Sequence, residues 1–307
     1  MPAGTHPVHD LAALVRRRHD ALREQAGDAH DGKVDAVHQA RVASRRLREV
    51  VPVLGRGLDD VRLKPLRRDL RDLTRALGPV RELDVALGMV EELPIDGPDG
   101  ERLTEAWLEH LERRRFAPAS ALRKALGPGR RHELDQALEA FASARTESDD
   151  DSWREGLARR LVARAQDLRD HIERTGTTYH PEPLHEVRIA IKKLRYVLEI
   201  TGEAGLARVL RLLRTLKASQ ESLGHLHDLD VLLTSLQSVP GTAPGKDLQH
   251  AAATAVATIE AASQVLHRRY LRSRAALLRI TDTTLETVVP RVRTVSVVRH
   301  RKATRGN

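Results

Sequence analysis

The chain repeats one charged segment, and this duplication constrains its fold more than any other feature. Residues 37–48 read VHQARVASRRLR and residues 184–195 read LHEVRIAIKKLR, so that His38 and His185 correspond at an offset of 147 residues. A second pair follows in the same order, LGPVRELDV at 77–85 and LGHLHDLDV at 223–231, at an offset of 146 residues. Two echoes at nearly one offset indicate a duplicated unit of roughly 150 residues. Because basic residues recur, we expect the duplicated property to be a surface that faces anions.

Composition favours an all-α protein. The 307 residues include only two Trp, three Tyr and two Phe, which disfavours a β-sandwich or barrel, while helix-forming Ala, Leu, Arg and Glu are abundant. Cysteine is absent, so disulfides, thiolate metal sites and cysteine nucleophiles are excluded. Lys and Arg number 52 against 43 Asp and Glu, a net charge of +9, which indicates attraction to polyanions without naming one. A genome of high GC content, whose proteins are rich in arginine, would produce the same excess of basic residues. The positions of the charges therefore have to distinguish polyanion binding from this compositional bias.

The sequence also bears on location in the cell. It contains no run of about 18 apolar residues for a membrane span. The N-terminal MPAGTHPVHD lacks the basic-then-apolar pattern of a signal peptide. We therefore expect a cytoplasmic protein without a membrane partner.

Apolar periodicity and turn residues predict four main helices in each half of the chain. In the first half, about 5–128, the helices are expected over 11–25, 34–54, 60–92 and 101–126. In the second half, about 150–285, they are expected over 153–174, 184–200, 206–236 and 247–280. Gly78-Pro79 is expected to kink or break the third helix, and Pro118 to interrupt the fourth. Segment 129–149 is expected to be a linker with a short helix, and 286–307 a loosely held basic tail.

Each copy of the first repeated motif places its cations on one side of a helix. On a helical wheel, four basic residues of the first copy fall within about 80° of one another, opposite the apolar residues. These residues are His38, Arg41, Arg45 and Arg48, and the second copy has His185, Arg188, Lys192 and Arg195. Like charges at this spacing destabilise a helix by about 0.2–0.5 kcal/mol per pair. Both copies keep like charges on one face despite this destabilisation, which favours anion binding over an ordinary solvated face.

Other basic residues accompany the two stripes. The third helix of the first half carries Arg68, Arg71 and Arg75 on one face, and Arg214 and Lys217 reproduce the first two at an offset of 146 residues. Further basic residues lie on the first helices, Arg17 and Arg164, which correspond, and on the fourth helices, Arg114 and Arg269, which share no exact register. For the fourth-helix residues, ordinary surface charge is an equally good explanation.

The repeated motifs disfavour metal binding and catalysis. The neighbours of His38 and His185 are Arg and Lys, whose positive field repels a divalent cation, so each histidine is better suited to donate a hydrogen bond to an anion. An H-x-H-D string at 225–228 resembles metal phosphohydrolase motifs, but the first half has Pro79, Arg81 and Glu82 in the corresponding places. Asp84 and Asp230 do recur, and we expect them to orient arginines or to cap helices. The chain contains no P-loop, G-x-S-x-G or H-E-x-x-H motif, so we predict no metal, no cofactor and no enzymatic activity.

The motifs H-x-x-R-V-x-x-R-R-L-R at 38–48 and H-x-x-R-I-x-I-K-K-L-R-Y at 185–196, with the two Leu-Gly segments, resemble the CHAD family, the conserved histidine α-helical domain. The resemblance covers a single domain at about 5–285. It implies two four-helix bundles related by a pseudo-twofold axis around a basic central pore or cleft. It also implies binding of inorganic polyphosphate and, in bacteria, association with polyphosphate granules. Some relatives carry a triphosphate-processing domain before this module, and we expect none here because the chain begins almost at the first helix.

The resemblance also assigns a binding surface. Its centre would comprise His38, Arg41, Arg45, Arg46, Arg48, His185, Arg188, Lys192, Lys193 and Arg195, flanked by Arg68, Arg71, Arg75, Arg214 and Lys217. Arg17, Arg164, Arg114 and Arg269 are additional candidates.

Two other functions remain open from the sequence. A nucleic-acid-binding protein would share the positive charge and would explain the basic residues from Arg291 to Arg305. Binding of single strands, however, uses aromatic stacking platforms, which the stripes lack, and no helix-turn-helix or zinc finger is evident. A phosphohydrolase is the second alternative, testable by phosphate release with Mg²⁺ or Mn²⁺. The sequence does not predict the oligomeric state.

Overall fold

The computed structural model describes residues 11–147, 152–242 and 246–294, and within these ranges every regular element is helical. The helices are α1 (Leu11–His30), α2 (Val34–Leu54), α3 (Asp60–Glu92), α4 (Pro98–Ala125), α5 (Pro128–Glu147), α6 (Ser152–Thr175), α7 (Pro181–Glu203), α8 (Leu210–Leu236) and α9 (Gln249–Thr283). A π-helical turn, Thr284–Val288, follows α9, and the chain continues as α-helix to residue 294. The predicted all-α class is confirmed.

The predicted break at Gly78-Pro79 and the predicted interruption at Pro118 do not occur, whereas a kink at Gly78-Pro79 stays a prediction. Helix α3 is continuous through Gly78-Pro79, and α4 is continuous through Pro118. A proline inside a helix costs roughly 3 kcal/mol because it removes one hydrogen bond and crowds the preceding turn. Leu77 and Val80, on either side of the Gly78-Pro79 pair, are fully buried, and the ring of Pro79 is exposed. The burial of apolar neighbours on one face thus outweighs the local penalty.

The segment predicted as a linker with a short helix forms a full helix, α5. Leu138, Phe141 and Ala142 of α5 are buried in the core, and α5 packs against α1. An ion pair between His19 and Asp135, 2.6 Å apart, joins the same two helices. The periodicity of this segment is weak because it buries few side chains, so the sequence underestimated its length.

The first part of the predicted tail also belongs to the packed fold. Val288, Val289 and Val292 are buried, at positions that share one helical face, and Arg293 forms an ion pair with Glu155 of α6 at 3.4 Å. The expectation of a loosely held tail is therefore wrong for 286–294, where three valines anchor the helix. The rest of the predicted tail, 295–307, lies outside the described residues.

The two halves share their cores. The larger core combines α1, α2, α5, α6 and α7 with the adjoining ends of α3, α4, α8 and α9. The smaller core joins the C-terminal parts of α3 and α8 to the N-terminal parts of α4 and α9. In the smaller core, the indole nitrogen of Trp107 on α4 donates a hydrogen bond to Ser235 on α8 at 2.9 Å. Each core thus draws on both halves, and the assignment of one bundle to each half stays a prediction, as do the pseudo-twofold axis and the domain boundaries.

Four helices that carry the repeated motifs surround one region of the molecule. Helix α2 contacts α3, α3 contacts α8, α8 contacts α7, and α7 contacts α2. These four contacts close a ring to which each half of the chain contributes two helices. Within the ranges described, none of the helices has the length and apolar content needed to cross a membrane.

Candidate anion-binding cavity

A cavity of about 380 Å³ lies within the ring of α2, α3, α7 and α8, and we call it the inter-half cavity. Its basic lining residues are Arg41, Arg45, Arg81, Arg188, Lys192 and Arg195, together with His38, His225 and His227. Its acidic lining residues are Glu82, Glu221 and Asp228. Six arginine and lysine side chains thus face three carboxylates, so the cavity carries an excess of positive charge. Basic stripes of both halves meet here.

The apolar faces of α2 and α7 hold these cations in place. Val37 and Leu47 of α2, and Val187 and Leu194 of α7, are fully buried in the larger core. Burial of these stripes fixes the rotation of each helix about its own axis, so the opposite faces turn toward the cavity. The amphipathic pattern of the sequence therefore accounts for the inward position of the cations.

Burial makes several of these cations costly to charge. Burial, with repulsion from Arg45 and Arg188, lowers the pKa of Arg41 to about 10. The Lys192 side chain is nearly inaccessible, since the residue is 8% exposed. The pKa of its amine is lowered more than that of Arg41. Burial and repulsion from Arg188 and other arginines lower the pKa of Lys192 to about 6. At neutral pH the protein therefore holds Lys192 largely as a neutral amine.

Two guanidinium groups in the cavity are incompletely hydrogen-bonded. The Nη1 atom of Arg41 and the Nε atom of Arg188 are buried and have no hydrogen-bond partner in the described part of the protein. Buried donors without acceptors cost free energy, roughly 1–3 kcal/mol each and more when charged. Both nitrogens would gain from an acceptor such as a phosphate oxygen.

Asp228 is a carboxylate that partly compensates the cationic cluster. Its pKa is raised by burial, while the positive charge of Arg188 opposes that rise. In turn, burial lowers the pKa of Arg188, and Asp228 acts against this effect. The stripes themselves contain no acid, so the sequence reasoning did not include this partial compensation.

The two repeated histidines lie in different surroundings. His38 lines the inter-half cavity, and its pKa is lowered by burial and by the charges of Arg81 and Arg41. His185 instead lines an adjoining cavity of about 400 Å³, and its Nδ1 atom lies 3.0 Å from Nδ1 of His227. His227 lines both cavities. Burial and the charge of Arg188 lower the pKa of His227 to about 3, so it is neutral at physiological pH.

The histidines do not converge on a metal site. In the described ranges, no group of three or more His, Asp or Glu residues is arranged to hold a metal ion. The recurring aspartates have different partners. Asp84 accepts a hydrogen bond from Nε of Arg115 at 2.6 Å, as expected for a residue that orients an arginine. Asp230 instead accepts one from the hydroxyl of Tyr179 at 2.5 Å.

Several predicted site residues lie outside the cavity and are paired with acids. Arg46 contacts Glu199 at 3.1 Å. Lys193 and Arg164 both approach Asp167, at 4.0 and 3.7 Å. Because these cations are partly neutralised by protein carboxylates, they are weaker candidates for anion binding than the cavity residues.

The remaining predicted residues lie on the surface or in other depressions. Arg17, Arg48, Arg71, Arg75, Arg214, Lys217 and Arg269 are exposed. Arg68 lines a groove between α3, α4 and α5, and Arg114 lines the adjoining cavity with His185. The structure thus brings together one part of the predicted set and distributes the rest over the molecule.

Sequence reasoning missed several lining residues. Arg81, His227 and Asp228 belong to the second repeated segment, which indicated the duplication and the family resemblance but was not included in the predicted binding surface. Gln220 lies one turn earlier on α8 and accepts a hydrogen bond from Nε of Arg195 at 2.9 Å. The recurrence of this segment beside the basic stripe was a usable signal for Arg81 and Asp228. No sequence signal indicated Gln220.

Comparison with known proteins establishes the family. A family model described as CHAD domain matches residues 12–237, so the chain belongs to the CHAD domain family, as its motifs predicted. The Mycobacterium tuberculosis (strain CDC 1551 / Oshkosh) protein named "Uncharacterized protein MT2285" is 28% identical over 193 residues, which cover 59% of this chain and 37% of that protein. The chain thus spans little more than a third of that relative.

Two solved structures share the fold. The CHAD domain from the plant Ricinus communis matches with a TM-score of 0.65 at 22% identity, over 90% of this chain and 94% of that chain. PptA from Streptomyces chartreusis matches with a TM-score of 0.58 at 18% identity, over 86% of this chain and 97% of that chain. At these identities the likeness concerns the fold alone.

Proposed function

We propose that this protein binds inorganic polyphosphate in the inter-half cavity and acts as a binding protein rather than an enzyme. The observation that carries the proposal is the convergence of partly or fully buried basic residues from both halves of the chain in one cavity. Arg41 and Arg188, which correspond at an offset of 147 residues, both line it, as do Arg45 and Lys192. Like charges gathered at low exposure repel one another, and a polyanion would relieve that repulsion.

The chemistry of the lining suits a phosphate polymer. Each internal phosphate carries about one negative charge and offers only oxygen acceptors, so its receptor needs spaced cations and few other groups. Arginine donates paired hydrogen bonds to phosphate oxygens, and lysine acts as a point charge. As an anion enters, it favours the protonated form of Lys192, which then adds a further positive charge.

The finer architecture belongs to the same proposal. A pseudo-twofold axis between two four-helix bundles would place equivalent cations on opposite sides of a basic pore, so that one polymer contacts both halves. The paired offsets support it, since equivalent positions line one cavity. Cytoplasmic location and association with polyphosphate granules follow from polyphosphate binding as further parts of the proposal.

Nucleic acid is the rival ligand. Among the residues that the structure describes, Tyr196 is the only Tyr, Phe or Trp that lines the inter-half cavity, and it is only 6% exposed. The guanidinium of Arg195 lies over its ring, 4.8 Å from the centroid. A base therefore finds no free aromatic face there on which to stack.

Removal of the two equivalent arginines tests the site. The double variant Arg41→Gln/Arg188→Gln is titrated with polyphosphate by calorimetry, and circular dichroism checks its fold. Two charge-assisted contacts at about 1.5 kcal/mol each predict a loss of about 100-fold in affinity. The matched control Arg102→Gln/Arg268→Gln removes the same charge from exposed positions of α4 and α9 and is expected to bind as the wild type does. Unchanged affinity in a folded cavity variant would refute the site.

Two further assays address the alternatives. Long polyphosphate is expected to displace single-stranded DNA and RNA from the protein at moderate salt, and failure to do so would favour the nucleic-acid function. Incubation of polyphosphate with the protein and Mg²⁺ or Mn²⁺ is expected to release no phosphate. Turnover in that assay would overturn the assignment as a binding protein.

A further inference from the structure

The two cationic rows continue differently beyond the inter-half cavity. On α2 the next residue of the basic stripe after Arg45 is Arg48, which is exposed. Burial lowers the pKa of Arg48, the charge of Glu49 opposes this effect, and the charges of Arg45, Arg71 and Arg75 add to it. Glu49 itself forms an ion pair with Arg160 at 3.1 Å. Arg45, Arg71 and Arg75 are therefore close enough to Arg48 to repel its charge. The row leads from the cavity to the outer surface of the first half.

Protein carboxylates leave this first-half row largely unpaired. Among the described residues, no carboxylate lies within 4.0 Å of the cationic nitrogens of Arg48 or Arg71. Arg75 has one distant partner, Asp72, at 3.6 Å, and the side chains of this pair are 73% and 56% exposed. An ion pair so exposed contributes little. We call Arg48, Arg71 and Arg75 the outer track.

In the second half, the counterpart of Arg48 is neutralised and lies in the lining of the inter-half cavity. Arg195, the counterpart of Arg48, donates hydrogen bonds to Glu199 at 2.8 Å and to Gln220 at 2.9 Å. Arg195 and Glu199 are each only 12% exposed at their side chains, so their contact is shielded from water. Lys217, the counterpart of Arg71, lies 3.7 Å from Glu221, but their side chains are 68% and 64% exposed, so this pair contributes as little as that of Arg75 and Asp72.

The acidic residues beside the two rows also differ between corresponding positions of the two halves. At the offsets of 147 and 146 residues, Glu199 corresponds to Pro52, and Glu221 corresponds to Arg75. Glu199 and Glu221 thus occupy positions where the first half has no acid, whereas Glu49 corresponds to Tyr196 and Asp72 to Ala218. The difference that remains is the shielded pair of Arg195 with Glu199, which Arg48 lacks. Glu199 also pairs with Arg46 across the halves at 3.1 Å, which reduces the positive charge of that side further.

We propose that a polyphosphate chain too long for the inter-half cavity leaves it on one side only, across the outer track of α2 and α3. This inference rests on the proposed function and adds a direction and a length dependence to it. A short oligophosphate contacts the cavity cations alone. A long chain also contacts Arg48, Arg71 and Arg75, and each added contact releases counterions and steepens the dependence of affinity on salt.

Paired variants on the two sides test the direction. Arg71→Ala/Arg75→Ala removes two charges from the outer track, and Arg214→Ala/Lys217→Ala removes two from the equivalent helix of the second half. Arg102→Ala/Arg268→Ala is the control for net charge. Each protein is titrated with tripolyphosphate and with long-chain polyphosphate at several salt concentrations, and circular dichroism checks the fold.

The outer-track variant is expected to lose about tenfold in affinity for long chains, from two exposed contacts of about 0.7 kcal/mol each. Its salt dependence for long chains becomes shallower by roughly two ion equivalents, while tripolyphosphate binds as before. The second-half variant is expected to lose clearly less. Equal losses on the two sides, or an equal loss for tripolyphosphate, would overturn the one-sided path and leave polyphosphate binding intact. If the wild type binds neither phosphate, the function and the path both fail.

Discussion

Replacement of Lys192 by methionine is expected to stabilise the ligand-free protein. The residue is 8% exposed, and burial with arginine repulsion lowers its pKa from 10.5 to about 6. At pH 7 the unfolded chain keeps this amine protonated and the native state does not. The difference between 10.5 and pH 7 costs the native state about 5 kcal/mol, at about 1.4 kcal/mol per pH unit. Methionine keeps the apolar stem and lacks the charge, so the variant gains up to about that amount.

The sign of the pH dependence follows from the same values. Between about pH 6 and 10.5 the unfolded chain binds one proton more than the native state at Lys192. Stability therefore rises with pH in this window by as much as about 1.4 kcal/mol per unit, and the penalty is greatest at or below pH 6. Lys192→Met removes that contribution, so the stability of the variant depends less steeply on pH than that of the wild type.

Urea denaturation from pH 6.5 to 9 measures both effects. The control variant is Lys124→Met, at an exposed lysine of α4. Its unfolding free energy is expected to depend on pH as steeply as that of the wild type. If Lys192→Met and the wild type show the same slope of unfolding free energy against pH, Lys192 is not held neutral and the reasoning fails. Calorimetry with tripolyphosphate in buffers of different ionisation enthalpy adds a second readout. Binding near pH 7 is expected to take up a proton in the wild type and less in Lys192→Met.

Two more substitutions probe the cavity and its support. Gly224 lines the inter-half cavity and faces open space, so Gly224→Leu is expected to narrow the cavity and lower polyphosphate affinity about tenfold. Gly88→Leu, at a helical glycine that also faces open space outside the cavity lining, is the control, and an equal loss in both would contradict the steric explanation. Arg115→Ala removes the partner of Asp84, whose side chain is 1% exposed, and leaves a buried carboxylate unpaired. The expected loss in denaturation experiments is about 3–5 kcal/mol, and a loss below 1 kcal/mol would show that the pair is not a structural support.

The errors of the sequence-based fold prediction have one cause. The rules for proline and for weak periodicity describe a helix in isolation, whereas packing stabilises α3 through Pro79 and α4 through Pro118. Segment α5 shows the same effect, since Leu138 and Phe141 anchor a helix whose own pattern is weak. Tertiary burial therefore lengthened helices that local signals would have ended.

The site was predictable where a single helix determines it. Arg41 and Arg45 lie on one face of α2 because of their spacing alone, and the same holds for Arg188 and Lys192 on α7. The prediction that these stripes face anions remains to be tested. Their common cavity depends on how α2 and α7 pack, which no local pattern specifies.

By itself, the sequence determined the helical class, the duplication and the two amphipathic helices with their cations opposite the core. These features follow from composition, from the internal repeat and from the spacing of apolar and basic residues along each helix. Only the tertiary structure decided which cations converge and which are neutralised. Arg46 meets Glu199 across 153 residues of chain, and Arg195 meets Gln220 on another helix. Electrostatics depends on distance in space rather than along the chain, so the balance of charge at the site is a property of the packed helices.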